Sequence, residues 1–459
     1  MKWYNDFNEI YQAESDYIYD GTTADRMRTI LLYRLMIILI TPSEGNEGDK
    51  VRDLSHFKAW FKHALKINKG LGGVVKPDYT SFSHNTFYGS AYVPNALHNA
   101  AFVQYLLEGT SFELDQDSKD NLREALSVMR IAAVKYSTPN SMGGRFPGYD
   151  RAILAQHFPA YAYISYFESK STPRMGVFYK PDMFLRLFDQ KAPSVKAYLE
   201  DGHITSGAYY LNTIGSLDVL QKVFTLTCVK QCQREASPTG HWSKNFAALS
   251  IHRRKDWSVA AKGFNRYTWD YESSPEENIF GVFASHGSLQ ISNSESSLKT
   301  YDVNEGWDWT RVPGATTIKA NIINQIVIDE ARNYNPGNFA GGVSFKGSVG
   351  SEPRNGAFGM WFKKPPYSMK DKVSALNTME FEFKKSYFFY NDLIVCLGSD
   401  IKFKNADVEN YYAQTTLFQD NLVDPFKSSR ITIDSQTHDL RVLLKNKKQM
   451  GCCCSANGY

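Results

Sequence analysis

The longest apolar run in this 459-residue chain is only six residues, Leu35-Met36-Ile37-Ile38-Leu39-Ile40, directly after Arg34. A bilayer span needs about 20 apolar residues, so this run is expected to be a buried helix. No block of Lys or Arg appears, and the formal net charge is only +4. That excludes the electrostatic footprint of a nucleic-acid binder but leaves room for a local basic groove. Cysteine is scarce: Cys228, Cys232, Cys396 and the triplet Cys452, Cys453 and Cys454. Cys228 and Cys232 have no second pair with matching His spacing, so no zinc site is expected. The triplet forms neither a disulfide framework nor a zinc knuckle. No signal peptide is visible at Met1, where Lys2-Trp3-Tyr4-Asn5-Asp6 leads into polar sequence. A soluble chain is the expectation. No βαβ alternation is seen, which argues against a parallel α/β sheet.

Aromatic residues, by contrast, are plentiful: 29 Phe, 28 Tyr and 8 Trp. Flat rings stack on sugar C–H faces, although most aromatic side chains fill cores and sheets. The first half reads as helical. Thr23 can cap a helix from about Asp25 to Ile40. Leu54, Phe57, Trp60, Phe61, Ala64 and Leu65 recur at helical spacing up to Gly70-Leu71-Gly72-Gly73. Pro94 opens another helix, and Asp117 or Ser118 caps a fourth that carries Leu122, Ala125, Leu126, Met129 and Ala133. Ile153 to Phe167 is a further candidate. Such a series suggests antiparallel helical hairpins.

After about residue 205 the pattern turns to β. Phe246–Ile251 and Val282–Ile291 are candidate strands. Glu380–Leu397 reads as a hairpin turning at Asn391-Asp392. The expected architecture is a helical domain over 1–205, an antiparallel β-sandwich over 206–440 and an irregular tail over 441–459.

Four residues stand out as a chemical set: His84, Tyr92, Arg145 in Gly143-Gly144-Arg145, and Glu272. Removing a weakly acidic C–H proton beside a carboxylate needs a base, a cation or donor for the growing negative charge, and an acid for the departing oxygen. A neutral His takes a proton directly. Tyr is a poor base at its free pKa of about 10, and an adjacent Arg lowers that value by favouring phenolate. The set suits a lyase acting on an acidic polysaccharide. Each member also has a plainer reading: a capping His in a loop, a core Tyr, a solvated turn Arg and a surface Glu. A hydrolase using paired carboxylates such as Asp78 and Asp150 is a competing reading.

The segment Lys76-Pro77-Asp78-Tyr79-Thr80-Ser81-Phe82-Ser83-His84, continued by Tyr88-Gly89-Ser90-Ala91-Tyr92, resembles the catalytic loop of polysaccharide lyase family 8. Ser250-Ile251-His252-Arg253 with Asp256, then Asn265, Trp269, Glu272 and Ser285-His286-Gly287, resembles the chondroitinase ABC branch of that family. The most specific stretch is Gly306-Trp307-Asp308-Trp309-Thr310-Arg311-Val312-Pro313-Gly314-Ala315-Thr316-Thr317, and Thr415-Thr416-Leu417-Phe418-Gln419 is a last marker. The resemblance covers most of residues 25 to 435. It implies a partial α/α toroid followed by antiparallel β-sheets.

It also implies β-elimination at uronic acid in chondroitin or dermatan sulfate, and in hyaluronan as a further candidate. Tyr92 would be the acid, and also the base for glucuronate. His84 would be the base for iduronate. Arg145 would position Tyr92 and substrate, and Glu272 would orient Arg145 or His84. The spacing of the tyrosine differs by one residue between branches, which leaves Tyr88 as an alternative. Tyr88, Arg151, His286, Trp307 and Trp309 are candidate substrate contacts, with burial of the two Trp residues the plainer account. No cofactor is implied. Ca²⁺ is compatible with a polyanionic substrate, but no EF-hand-like loop is present. A secreted or periplasmic monomer is expected, without nucleic-acid or membrane partners.

Two departures stand out. Family members are considerably longer, so the chain is expected to begin part-way through the toroid and stop inside the β region. Many members neutralise the uronate with an Asn from an earlier Trp-rich segment, which has no match here.

Overall fold

The computed structural model describes residues 23–136, 138–145, 159–166, 181–200, 218–226, 231–254, 257–272, 278, 281–292, 307–319, 338–345, 354–363, 380–404, 412–419, 430–433 and 435–439. Helices come first. The expected Asp25–Ile40 helix is broken at Ile30 into α1 (Thr23–Thr29) and α2 (Leu31–Ile40). Next come α3 (Glu47–Ala64), α4 (Tyr92–Leu107) and α5 (Gln116–Ala132). The cap of α5 is Asp115, which accepts from the Ser118 backbone N–H at 3.1 Å, rather than Asp117 or Ser118. Pro94 lies in the first turn of α4, where its missing N–H costs no hydrogen bond. Within the Ile153–Phe167 candidate, the described residues 159–166 are helical.

Further helices cover Asp182–Leu187, Pro193–Glu200 and residues 218–226. The helical part therefore runs past residue 205, and the first described strand beyond it begins at Gly240.

Two four-stranded antiparallel sheets follow. The first orders β3 (Gly240–Lys244), β4 (Leu249–Arg254), β5 (Trp257–Lys262) and β6 (Ser288–Ser292). The second holds β7 (Phe339–Phe345), β8 (Asn355–Lys363), β9 (Glu380–Tyr390) and β10 (Leu393–Lys404). The hairpin expected over Glu380–Leu397 is present, with Tyr390 opposite Leu393. Phe246–Ile251 is only partly strand, because Asn245–Ala247 forms a 3₁₀ turn. Val282–Ile291 is strand only from Ser288, after a 3₁₀ turn at Gly281–Phe283.

One apolar core runs through the helices and into β4 and β5, taking in Trp60, Leu126, Leu249, Ile251 and Ala260. A second lies between the two sheets, around Val259, Phe264, Phe358, Phe362, Phe383 and Phe389. Arg253, at the end of β4, locks helices to sheet. Buried, it donates to the carbonyls of Arg130 (3.3 Å), Ile131 (2.9 Å) and Ala133 at the end of α5. Those carbonyls have no partner within the helix.

His98 shows how strongly the helical core is sealed. Its ring lies on that of Tyr163, with centroids 5.9 Å apart and planes at 9°. Burial lowers its pKa to about 4. The folded value lies below the ordinary 6.5, so the unfolded chain binds more protons as pH falls through that window, and stability is lost on acidification. From pH 6.5 to 5 this one group is expected to cost about 1.5 kcal/mol. Denaturant melts at the two pH values test it. His98→Phe should shrink the difference between them by roughly that amount, whereas an unchanged difference would show that His98 is not held neutral.

Candidate active site

The chain enters the site on a short hairpin. Phe82–Ser83 (β1) pairs with Thr86–Phe87 (β2), which leaves His84 and Asn85 as a two-residue turn. Both have positive φ, +46° and +61°, the conformation that type I′ hairpin turns require. Asn tolerates it, whereas His does so at a steric cost. The turn is pinned from the β domain, because Trp269 N–H donates to Asn85 O at 2.9 Å. His84 thus sits at the tip of a fixed turn, with its side chain 20% exposed.

Tyr92 is the first residue of α4, not a loop residue as the sequence suggested. Its ring meets the His84 ring edge-on at 4.9 Å. The Arg145 guanidinium donates from Nη2 to the Tyr92 hydroxyl. Arg145 Nη1 also lies 3.6 Å from Glu272 Oε1, and His84 Nδ1 lies 3.7 Å from Glu272 Oε2. The Glu272 carboxylate is therefore shared between the arginine and the histidine. Its side chain is only 4% exposed, and little water competes for it. All four residues of the expected chemical set converge.

Tyr88 has a different place from the one expected. It is fully buried; its hydroxyl donates to Glu272 Oε2 and accepts from Arg145 N–H at 3.1 Å. A residue enclosed this way holds the site and does not face substrate. The neighbouring backbone leaves room for nothing larger. Gly144 has φ +58°, and a Cβ there would overlap the Tyr88 ring. Asn278 closes the back of the site by donating to both Gly144 O (2.9 Å) and Glu272 O (3.0 Å).

Burial pushes the Tyr92 phenol above its ordinary pKa; Arg145 pulls the other way, and Asp25 adds to the rise. The neighbouring arginine does favour phenolate, as expected, without deciding the outcome. Desolvation outweighs the guanidinium, and the resting group is a phenol.

Three candidate contacts lie elsewhere. His286 is buried among Phe264, Phe283 and Phe362, with ring centroids 4.8–5.5 Å away. Trp307 and Trp309 are buried in a small core with Phe283, Val312 and Ala315. All three are packing residues of the β region. Arg151, the Asp150 of the hydrolase reading and the cysteines at 228 and 452–454 lie outside the described residues. Asp78 is structural: it accepts from Thr80 Oγ1 at 2.6 Å and from the Phe246 backbone N–H at 2.9 Å. Among the described residues no group of three or more His, Cys, Asp or Glu is placed to hold a metal ion.

Sequence reasoning missed Asp25 and Arg28 of α1. Asp25 Oδ2 lies 3.6 Å from His84 Nε2. The Arg28 guanidinium lies over the Tyr92 ring, 4.5 Å from its centroid, and its Nε donates to Asp25 at 2.6 Å. The only local signal was a polar Asp-Arg pair on an otherwise ordinary amphipathic helix.

Comparison with known proteins gives the family and the fold. The family signature "Lyase, catalytic" matches residues 1–179, and "Polysaccharide lyase family 8, super-sandwich domain" matches residues 241–450. A chondroitin sulfate ABC exolyase from Bacteroides thetaiotaomicron is 28% identical, aligned over 91% of this chain and 39% of its own. A chondroitin sulfate ABC exolyase from Proteus vulgaris is 24% identical, over 91% of this chain and 37% of its own. The chain thus spans about two fifths of the length of these relatives. The solved structure of the Streptomyces coelicolor chondroitin AC lyase, in complex with chondroitin sulphate, superposes with a TM-score of 0.65 at 15% identity. It covers 93% of this chain and 53% of that one. That superposition establishes the fold as a partial α/α toroid followed by antiparallel β-sheets. With both parts of the family matched in order along it, the chain belongs to polysaccharide lyase family 8.

Proposed function

We propose that this chain is a carbon–oxygen lyase that cleaves chondroitin- and dermatan-sulfate-type glycosaminoglycans by β-elimination at uronic acid. The observation that carries this reading is the Arg145–Tyr92 hydrogen bond beside His84, with the Glu272 carboxylate behind both. The site offers a proton donor, a base and a cation within one cluster. In the elimination the C5–H bond breaks and its electron pair forms the C4–C5 double bond. The C4–O4 bond breaks, and the departing O4 takes a proton. Tyr92, a phenol at rest, supplies that proton. His84 takes the C5 proton of iduronate. For glucuronate, Tyr92 serves as both base and acid, which requires that it first lose its own proton. Arg145 supports the negative charge that develops at the carboxylate and at the phenol oxygen. No step calls for a cofactor.

The relatives named as chondroitin sulfate ABC lyases support the substrate class. A glycan-binding remnant without turnover is the rival reading. A secreted or periplasmic monomer is part of the proposal. The test is to incubate the purified chain with chondroitin sulfate, dermatan sulfate and hyaluronan and follow the ultraviolet absorbance of unsaturated uronate. A rising signal with the sulfated polymers is expected. Binding without any signal, from a chain that melts cooperatively, favours the remnant. Saturated products point to hydrolysis, and a preference for hyaluronan shifts the substrate class.

A further inference from the structure

His84 is held between two carboxylates, not one. Glu272 lies on its Nδ1 side at 3.7 Å, where Ser83 Oγ also sits at 3.1 Å. Asp25 lies on its Nε2 side at 3.6 Å. The two acids come from opposite parts of the fold, Asp25 from α1 of the toroid and Glu272 from the β region. The Asp25 carboxylate does not swing freely, because Arg28, one helical turn on, donates to its other oxygen at 2.6 Å. The same guanidinium covers the face of Tyr92. A carboxylate beside Nε2 repels the lone pair of a neutral imidazole there and attracts an N–H⁺. It therefore favours the state that His84 reaches after it accepts a proton.

We propose that Asp25 is a positioning residue for His84: from α1 it fixes the ring and strengthens it as the base for iduronate. The proposal rests on the lyase reading for its catalytic consequence, but not for its electrostatic core. The charged and titratable groups around His84 are Asp25 and Arg28 from α1, Tyr88, Tyr92 and Arg145 from the loop and helix beside it, and Glu272 from the β region. The carboxylates raise its affinity for a proton, and the two guanidiniums lower it. Asp25→Asn keeps an oxygen that can accept from Arg28 and leaves Arg145 and Glu272 in place, and its effect on Tyr92, whose pKa Asp25 also raises, is read separately on glucuronate.

The experiment compares Asp25→Asn, Asp25→Glu and the unchanged chain. The His84 imidazole is titrated by NMR, with its resonance assigned by loss in His84→Gln. Turnover of dermatan and chondroitin sulfate is measured across pH. Asp25→Asn is expected to move the His84 midpoint down by about one pH unit, and Asp25→Glu to restore it. Turnover on iduronate should fall about tenfold in kcat with little change in KM. Its acid limb should move down by the same pH shift, while glucuronate turnover stays within about threefold. A His84 midpoint that does not move in Asp25→Asn overturns the proposal whether or not the chain is a lyase. Equal losses on both substrates overturn the link to iduronate. If no chain makes unsaturated product, the lyase reading fails, and the titration alone still decides whether Asp25 acts on His84. Should Asp25→Asn fail to melt cooperatively, Asp25→Ser gives the same reading.

Discussion

Replacing Tyr92 with Phe is expected to lower turnover on glucuronate and iduronate substrates alike by about three orders of magnitude, while substrate binding stays within a few-fold. The hydroxyl is the proton-transfer group that both routes use. It protonates O4 in either case, and for glucuronate it also takes the C5 proton. Removing it leaves the ring, which packs edge-on against Tyr88 at 5.1 Å and under the Arg28 guanidinium. The local fold should therefore survive, with a melting temperature close to that of the unchanged chain. The raised phenol pKa adds a second expectation. Iduronate turnover uses Tyr92 in its resting, protonated form, whereas glucuronate turnover needs the proton removed first. Glucuronate activity should therefore continue to climb at a pH where iduronate activity has levelled off. Steady-state kinetics of Tyr92→Phe and the unchanged chain on both substrates across pH check these points. A Phe variant that keeps near-normal turnover would remove Tyr92 from the chemistry and return attention to Tyr88.

That choice between two tyrosines shows where sequence reasoning ends. The residue types and their order pointed to His84, Tyr92, Arg145 and Glu272, and the helix-to-sheet change was visible as a switch from period 3.6 to period 2. Both tyrosines are buried, and what sets Tyr88 apart is that its hydroxyl is taken up by Glu272 and the Arg145 N–H, contacts that only the fold creates. Tyr88 is enclosed because Gly144 lies against its ring and Glu272 takes its hydroxyl, and both contacts come from sequence far away. Asp25 went unseen for a related reason. On a helical wheel it is one more solvated acid, and only the break at Ile30 and the packing of α1 against α4 bring it to His84. The two tryptophans were candidate substrate contacts with burial the plainer account, because an aromatic pair in a distinctive motif looks the same whether it meets sugar or core, and the fold buries both. Here the motif turns back into the β region, where Gln419 accepts from Asp308 N–H at 2.8 Å and donates to Arg311 O at 3.0 Å. The turn at His84-Asn85 was in principle readable, since Asn tolerates the left-handed backbone that such a turn requires.

Glu272 tests whether the site works as one electrostatic unit. Glu272→Gln keeps the shape of the side chain and can still accept from the Tyr88 hydroxyl, but it removes the charge shared by Arg145 and His84. The guanidinium then loses the partner that aims it at Tyr92, and protonated His84 loses one of its two carboxylates. Turnover is expected to fall about a hundredfold on both epimers, mostly in kcat. Asp25→Asn, which leaves the Glu272–Arg145 pair intact, should instead separate the two substrates. Glu272→Ala should be worse for stability, because it also strands the buried Tyr88 hydroxyl, at a cost of about 2 kcal/mol. Kinetics on chondroitin and dermatan sulfate, with denaturant melts of both variants, decide the matter. If Glu272→Gln lowers iduronate turnover only, Glu272 serves His84 and not Arg145. If it lowers neither, the carboxylate is a packing partner of Tyr88, and the charge that aligns Arg145 with the phenol must come from elsewhere in the site.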